Sequence, residues 1–200
     1  MRSICISLSR RSDKRAEVIK EFDKMGITPF WYIPKAVPPK KGDRILSCRD
    51  SHFECMETMK YFGVFMITED DMLCLTDNPK KDLEGMMNEL PECWDALWLG
   101  SNLQKPLKRY SDSLYRLNGG GWTTHAIVWN NQNGVIDYIL KHKDDIFKLD
   151  VFLADVVQEK FECYITYPMF ATQKQWDSDI MKSTDASAIL RNYNKNTNER

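Results

Sequence analysis

The chain has 200 residues, a formal net charge of −1 and a pI near 6.3. This length fits one domain with a substantial core, and 42% hydrophobic with 28% charged residues is typical of a globular protein. The near-neutral charge excludes a strong overall attraction to nucleic acid or anionic lipid, so such binding would depend on local patches. No apolar run approaches the roughly 20 residues of a membrane span, and the N-terminus is charged too early for a signal peptide.

The cysteines indicate a reducing compartment. All six, at positions 5, 48, 55, 74, 93 and 163, lack CxxC pairing and regular spacing, and several lie in apolar runs. This pattern predicts buried free thiols in an intracellular, cytoplasmic protein. With only three histidines and these spacings, the sequence predicts no structural zinc site.

Strand-like and helix-like segments alternate along the chain. The predicted strands are residues 4–8, 30–33, 64–68, 95–99, 124–129 and 163–166. The predicted helices are residues 12–26, with Ser12 as the cap and Gly26 as the end, about 49–61, 82–90, 134–142 and 151–158. Residues 34–44 hold three prolines and predict a loop. The alternation predicts an α/β domain over residues 1–182 with a mostly parallel sheet, followed by a loosely held polar tail, 183–200.

Three consecutive carboxylates, Glu69, Asp70 and Asp71, end the apolar strand that begins near residue 64. Like charges at a strand end repel one another, but a divalent cation makes the arrangement favourable because Mg²⁺ and Mn²⁺ prefer oxygen ligands. Ligands of α/β sheets also collect at the carboxyl ends of strands. The sequence thus predicts a metal site that holds the phosphates of a nucleotide. A solvated acidic turn is the alternative interpretation.

Basic residues follow the first predicted strand, in the run from Arg10 to Arg15. The planar guanidinium groups of arginines beside a helix N-terminus are suited to bind phosphate. Arg15 lies one helical turn beyond Arg11, so both side chains can face the same crevice. A solvated helix entry is the alternative.

Four further segments carry weaker signals. The spacing around Ser51 and His52 favours a packing role for the histidine, and Asp150 is either a helix N-cap or a general base. Gly119-Gly120-Gly121-Trp122 matches no phosphate-binding fingerprint but could form a flexible wall of an acceptor cleft. The stretch from Tyr167 through Gln173 and Trp176 to Ser178-Asp179-Ile180 suits either sugar or base binding or loop packing.

Taken in order, these segments resemble glycosyltransferase family 25, the lipooligosaccharide and collagen galactosyltransferase-like group. Residues 6–15 are similar to its opening "NLxRRxDR" turn, residues 48–52 to its "GCxxSH" helix, and residues 66–71 to its "ILEDD" strand. Residues 94–100 are similar to "WDxxxLG", Leu149-Asp150 to a later "xxD", and residues 167–180 to a closing "P…Q…SDI". The chain departs from the family at Ser7, Ser47 and Thr124-His125-Ala126, where Asn, Gly and "GxxAY" are usual.

The resemblance implies a single-domain, GT-A-like (Rossmann-like) fold that binds a nucleotide-sugar, a UDP-sugar by preference. It also implies Mn²⁺ or Mg²⁺ and an inverting transfer of the sugar to a hydroxyl of a glycan or other acceptor. The residues that it assigns are Glu69, Asp70 and Asp71 for the metal, Ser7, Leu8, Arg10, Arg11, Arg15 and Ser51 for the nucleotide, and Asp150 as the catalytic base.

Other functions remain open at this point. A glycosyltransferase of this size could modify hydroxymethylated bases in DNA, using local basic patches at Lys40, Lys41 and Arg44 and at Lys105, Lys108 and Arg109. A non-catalytic nucleotide-sugar or glycan-binding module is a second alternative. Strand-end carboxylates also serve nucleotidyltransferases and metal-dependent hydrolases.

Overall fold

A computed structural model describes residues 1–34 and 41–174 of the chain. The strands are β1 (Arg2–Ile6), β2 (Phe30–Tyr32), β3 (Val64–Glu69), β4 (Met72–Cys74), β5 (Ala96–Trp98), β6 (Asn102–Leu103), β7 (Lys108–Arg109), β8 (Leu114–Arg116), β9 (Gly121–Trp122), β10 (Ala126–Asn130), β11 (Cys163–Thr166) and β12 (Ala171–Gln173). The helices are α1 (Ser12–Met25), α2 (Lys41–Met59), α3 (Pro79–Glu89), α4 (Val135–Lys141), α5 (Leu149–Phe152) and α6 (Gln158–Lys160). Short 3₁₀ turns cover Lys60–Phe62 and Asn131–Asn133, and a π-helical turn, Leu153–Val157, joins α5 to α6.

Eight of the described strands form one sheet in the order β2-β1-β3-β10-β5-β11-β8-β7. The pairs β2–β1, β1–β3 and β5–β11 are parallel, whereas β10 and β8 run against both of their neighbours. Six of these strands therefore point the same way. The predicted α/β fold with a mostly parallel central sheet is confirmed.

Side chains alternate between the two faces of this sheet, because successive residues of a strand point to opposite sides. In β3, Phe65 and Ile67 join a core that includes residues of α2 and α4. Met66, between them, joins a second core that includes residues of α1 and α3. Helices thus cover both faces, which explains why the inner strands are almost continuously apolar.

Several helix boundaries depart from the prediction, most clearly at the starts of α1 and α2. Helix α1 ends where expected, because Gly26 adopts the left-handed conformation (φ 67°) that favours glycine. Its N-cap is Arg11, however, so the predicted capping role of Ser12 is wrong. Helix α2 begins at Lys41 rather than near residue 49, so residues 41–44 of the predicted loop are helical.

Six short strands escaped prediction: β4, β6, β7, β8, β9 and β12. Two or three residues carry too little alternation for a strand to be detected. The exposed basic pair of β7 lies at the sheet edge, where such residues are common because they discourage pairing with other chains. The predicted tail, 183–200, lies outside the described residues.

All six cysteines are unpaired, as predicted. Cys5, Cys55 and Cys163 are buried, whereas Cys93 is exposed. None of the helices among the described residues combines the length and the apolar character needed to cross a bilayer.

Candidate active site

The acidic turn (Glu69, Asp70 and Asp71) lies where three strands of the sheet meet. Because β1 and β3 are parallel with Ile6 opposite Glu69, the chain leaves both strands at the same edge. Strand β10 is antiparallel to β3, so its first residues reach this edge too, and the Glu69 N–H donates to the His125 carbonyl at 2.8 Å. The edge thus joins the ends of β1 and β3 to the start of β10.

Arg15 organises the loop between β1 and α1. Its guanidinium donates to the Ser7 hydroxyl at 3.1 Å, to the Leu8 carbonyl and to the Ser9 carbonyl at 2.9 Å. The Ser7 hydroxyl also hydrogen-bonds Asp70. The predicted nucleotide-binding residues Ser7, Leu8 and Arg15 are therefore neighbours, and Arg15 holds the loop in shape.

Arg10 and Arg11 occupy the outer part of the same loop. Arg10 is exposed. The Arg11 guanidinium makes a two-pronged contact with the Asp13 carboxylate at 3.0–3.3 Å, and 14% of its side chain is accessible to water. The predicted binding roles of these two arginines stay predictions.

Glu69 is held in its ionised form by two neighbours. Its Oε1 accepts a hydrogen bond from the Thr124 hydroxyl at 2.6 Å and another from the His52 Nε2 at 3.2 Å. Burial opposes ionisation, but the interactions with His52 and the hydrogen bond from Thr124 together outweigh it, so the pKa of Glu69 is lowered. His52 is buried and hydrogen-bonded, in keeping with the packing role predicted for it, and its imidazole supports this carboxylate.

Asp70 faces a cation of the chain itself. The Lys14 ammonium lies 3.6 Å from the Asp70 Oδ1, and both side chains are nearly buried, at 6% and 11% exposure. Burial raises the pKa of Asp70, while the hydrogen bond from Ser7 and the charge of Lys14 counteract this effect. Lys14 therefore offsets part of the negative charge of the acidic turn.

Asp71 carries a buried carboxylate oxygen that lacks a partner among the described residues. Its Oδ2 accepts from the Gln173 amide at 3.4 Å, whereas its Oδ1 has no hydrogen bond there. Burial and then the charge of Glu69 raise the pKa of Asp71 to about 7. Because a buried acceptor without a donor is costly, this oxygen fits a cation ligand.

Asp150 and Ser51 lie on the helices beside this edge. Asp150 is the second residue of α5, and the N-cap is Lys148, so Asp150 is not the cap. The charge of Asp150 interacts electrostatically with the Cys48 thiol, as do the charges of Glu69 and Asp71. Ser51 is 4% exposed and its hydroxyl donates to the Ser47 carbonyl at 2.8 Å. The roles of base and nucleotide ligand remain predictions for these two residues.

The glycine run is fixed by a buried glutamine. The Gln158 side chain accepts from the Gly121 N–H at 2.9 Å and donates to the Gly121 carbonyl at 2.7 Å. The Gly120 N–H donates to the Ala154 carbonyl in the π-helical turn at 3.3 Å. These bonds join the helical segment that bears Asp150 to the loop that leads to Thr124, so this glycine run is anchored rather than flexible, and its role as a wall of an acceptor cleft stays a prediction.

Sequence reasoning missed Lys14 and Thr124. Lys14 stands inside the basic run but received no role of its own. Thr124 belongs to a segment that departs from the family pattern, and its neighbour Thr123 has a strained positive φ of 119°. Such strain in a non-glycine residue is common at functional sites, but only the structure reveals it. Trp176 and Ser178-Asp179-Ile180 lie outside the described residues.

Comparison with solved structures identifies the class of fold. A glycosyltransferase involved in the glycosylation of the major capsid of PBCV-1 matches 98% of this chain and 100% of its own, with a TM-score of 0.55 and 8% identity. UDP-glucose pyrophosphorylase complexed with UDP-glucose matches 100% of this chain and 82% of its own, with a TM-score of 0.47 and 10% identity. A Drosophila galactosyltransferase 7 mutant in complex with manganese, UDP-Gal and xylobiose matches 96% of this chain and 80% of its own, with a TM-score of 0.44 and 9% identity.

The first of these likenesses extends over the whole of both chains, and at 8% identity it concerns the fold alone. The chain therefore has a GT-A-like α/β fold. No family model matches the chain, and no curated protein matches it either.

Proposed function

We propose that this protein is a metal-dependent glycosyltransferase that moves a sugar from a nucleotide-sugar to an acceptor hydroxyl. The observation that carries the proposal is the buried Oδ1 of Asp71, which has no hydrogen-bond partner within residues 1–34 and 41–174 and lies at the carboxyl edge of parallel strands. A carboxylate in that position gains a favourable partner when a cation binds beside it.

Asp71 and Asp70 are the residues that we expect to hold Mn²⁺ or Mg²⁺, with Glu69 as the third predicted ligand. The Oε1 of Glu69 already accepts hydrogen bonds from Thr124 and His52, so Glu69 is the least available of the three carboxylates for binding the ion. When bound, the ion supplies positive charge that neutralises the diphosphate leaving group.

The loop between β1 and α1 is the part of the chain that we expect to receive the nucleotide. Arg15 fixes the loop from within through Ser7 and Leu8. The guanidinium groups of Arg10 and Arg11, at its outer side, are suited to phosphate oxygens because the planar fork matches them. We keep Ser51, in α2, as a predicted contact.

The transfer itself would be a single displacement. The acceptor oxygen forms a bond to the anomeric carbon while the bond from that carbon to the diphosphate oxygen breaks. Asp150 takes the proton of the acceptor hydroxyl, and the nucleoside diphosphate leaves with the bonding electron pair. Because attack and departure occur on opposite faces, the sugar inverts. The role of Asp150 and the inverting outcome follow from the resemblance to family 25. The choice of a UDP-sugar donor and of the hexosyltransferase class follows from the same resemblance.

A thermal-shift screen tests the donor and the metal together. The protein is heated with a panel of nucleotide-sugars, each with and without Mn²⁺. We expect one nucleotide-sugar to raise the melting temperature only in the presence of the ion, because a ligand of the folded state stabilises it. Absence of any metal-dependent shift over the panel would contradict the proposal.

The Asp71→Asn variant tests the site. We expect it to fold and to lose turnover of the donor by about 100- to 1,000-fold, as loss of one charge-stabilising group commonly does. Asp77→Asn, at an exposed loop position, is the matched control and should keep its activity. Unchanged turnover in Asp71→Asn would rule out the metal assignment. Binding of the donor without hydrolysis or transfer would instead identify a non-catalytic module.

A further inference from the structure

A second group of metal-binding side chains lies behind the acidic turn. Cys48 and His52 are four residues apart in α2, so they lie on the same face of the helix, one turn from each other. Glu69 reaches them from the end of β3. The ligand atoms of these three side chains all lie within 4.8 Å of one another.

The position of this group also favours a cation. The His52 side chain is 3% exposed, and its Nε2 already points to Glu69 at 3.2 Å. Three carboxylates, Glu69, Asp71 and Asp150, act electrostatically on the Cys48 side chain. A bound cation would relieve this concentration of negative groups. Cys48 as a whole residue is partly exposed.

The chemistry of the three donors differs from that of Asp70 and Asp71. Carboxylates alone suit Mg²⁺ and Mn²⁺, whereas a thiolate with an imidazole selects softer ions such as Zn²⁺. Three protein ligands with one open position are typical of zinc sites that are not purely structural. We propose that Cys48, His52 and Glu69 form a site for a thiophilic divalent cation, with Zn²⁺ as its natural class.

Binding would change the network of the neighbouring site. Cys48 releases its thiol proton to solvent, His52 releases the proton on its Nε2, and the ion takes the place of the direct contact between His52 and Glu69. Glu69 would then be drawn towards α2 and away from the Thr124 hydroxyl. The cation site thus shares one residue with the acidic turn, yet it requires neither a nucleotide-sugar nor transfer.

A cadmium titration of the full-length protein tests the proposal. Cd²⁺ replaces Zn²⁺ at thiolate sites, and its bond to sulfur gives a charge-transfer absorption in the ultraviolet. We expect one equivalent of Cd²⁺ to produce this band in the wild type and Zn²⁺ to compete it away. The Cys48→Ser variant should lose the band, while Cys93→Ser, which changes an exposed cysteine elsewhere, should keep it.

The His52→Gln variant tests the second ligand. Since loss of an outer-shell partner costs about 10- to 100-fold in metal affinity, loss of a direct ligand should weaken Cd²⁺ binding by more than about 100-fold. Circular dichroism of each variant establishes that it is folded. The proposal is overturned by a wild type without the band, by a band that survives in Cys48→Ser, or by unchanged affinity in His52→Gln. None of these results depends on sugar transfer, so they leave the glycosyltransferase assignment to its own tests.

Discussion

Two carboxylates of the acidic turn differ in their affinity for protons although only one residue separates them. Glu69 accepts hydrogen bonds from Thr124 and His52, which favour its ionised form. Asp71 lacks a donor for its buried Oδ1 among the described residues and faces the charge of Glu69, so its protonated form is favoured. Opposite shifts in a pair of neighbouring acids are typical of sites that bind cations or transfer protons.

The raised pKa of Asp71 predicts a pH-dependent loss of stability. The pKa of Asp71 in the folded protein, about 7, exceeds the ordinary value of 3.8. The contribution of protonated Asp71 to the stability of the fold is therefore complete below pH 3.8 and is lost as pH rises through 7. In the absence of divalent ions, Asp71→Asn should therefore be more stable than the wild type at pH 8, by about 1–4 kcal/mol. Urea unfolding at a series of pH values measures the difference.

The control for this experiment is Asp77→Asn, whose free energy of unfolding should follow the wild type at every pH. If the difference between wild type and Asp71→Asn does not change between pH 4 and pH 8, the assignment of the buried charge is wrong. Addition of Mn²⁺ should reduce the difference in free energy of unfolding between Asp71→Asn and the wild type, because the ion stabilises only the ionised wild-type side chain.

Among single residues, the sequence located the three adjacent carboxylates but not their hydrogen-bond partners. Glu69, Asp70 and Asp71 are adjacent in the chain, so their grouping needed no fold. Thr124 is 55 residues from Glu69, and its contact exists only because β10 is antiparallel to β3. No pattern within either segment encodes that contact.

Among the elements, the junction between β5 and β12 fixes one wall of the site. Gly100 follows β5, and a Cβ atom at this position would overlap the Ala171 carbonyl oxygen. The Ala171 N–H also donates to the Leu99 carbonyl at 2.8 Å. Two residues beyond Ala171, Gln173 contacts Asp71, so the close approach at Gly100 sets the position of that amide.

Gly100→Ala should therefore destabilise the protein by at least about 2 kcal/mol, because the clash is with backbone, which cannot rotate away. Gly85→Ala is the matched control, since Gly85 lies in α3 with open space around its Cα. The control should gain about 0.5–1 kcal/mol from the higher helix propensity of alanine. Thermal and urea unfolding measure both variants, and equal stability of Gly100→Ala and wild type would contradict the close approach.

For the molecule as a whole, the charge distribution bears on the choice of acceptor. The net charge is −1. Two of the basic residues that could have formed a DNA-binding patch lie in ion pairs, Lys105 with Glu159 and Arg109 with Asp112. Lys40 lies outside the described residues. These pairs lower the local positive potential that phosphate binding requires.

We accordingly expect no saturable binding to duplex DNA at low ionic strength. Fluorescence anisotropy of a labelled duplex, titrated with the protein over a range of salt concentrations, measures it. Saturable binding whose affinity falls steeply with salt would instead support a DNA acceptor, because such a slope counts the phosphates that lysine and arginine neutralise.

The sequence by itself determined the class of architecture and the location of the acidic turn. Both depend on local signals: the alternation of apolar strands with amphipathic helices, and three carboxylates directly after a strand. Only the tertiary structure decided the direction of β10, the junction at Gly100, and the meeting of Cys48 and His52 with Glu69. These contacts join segments that are far apart in the chain, and their geometry depends on how the sheet is assembled, which no short stretch of residues specifies.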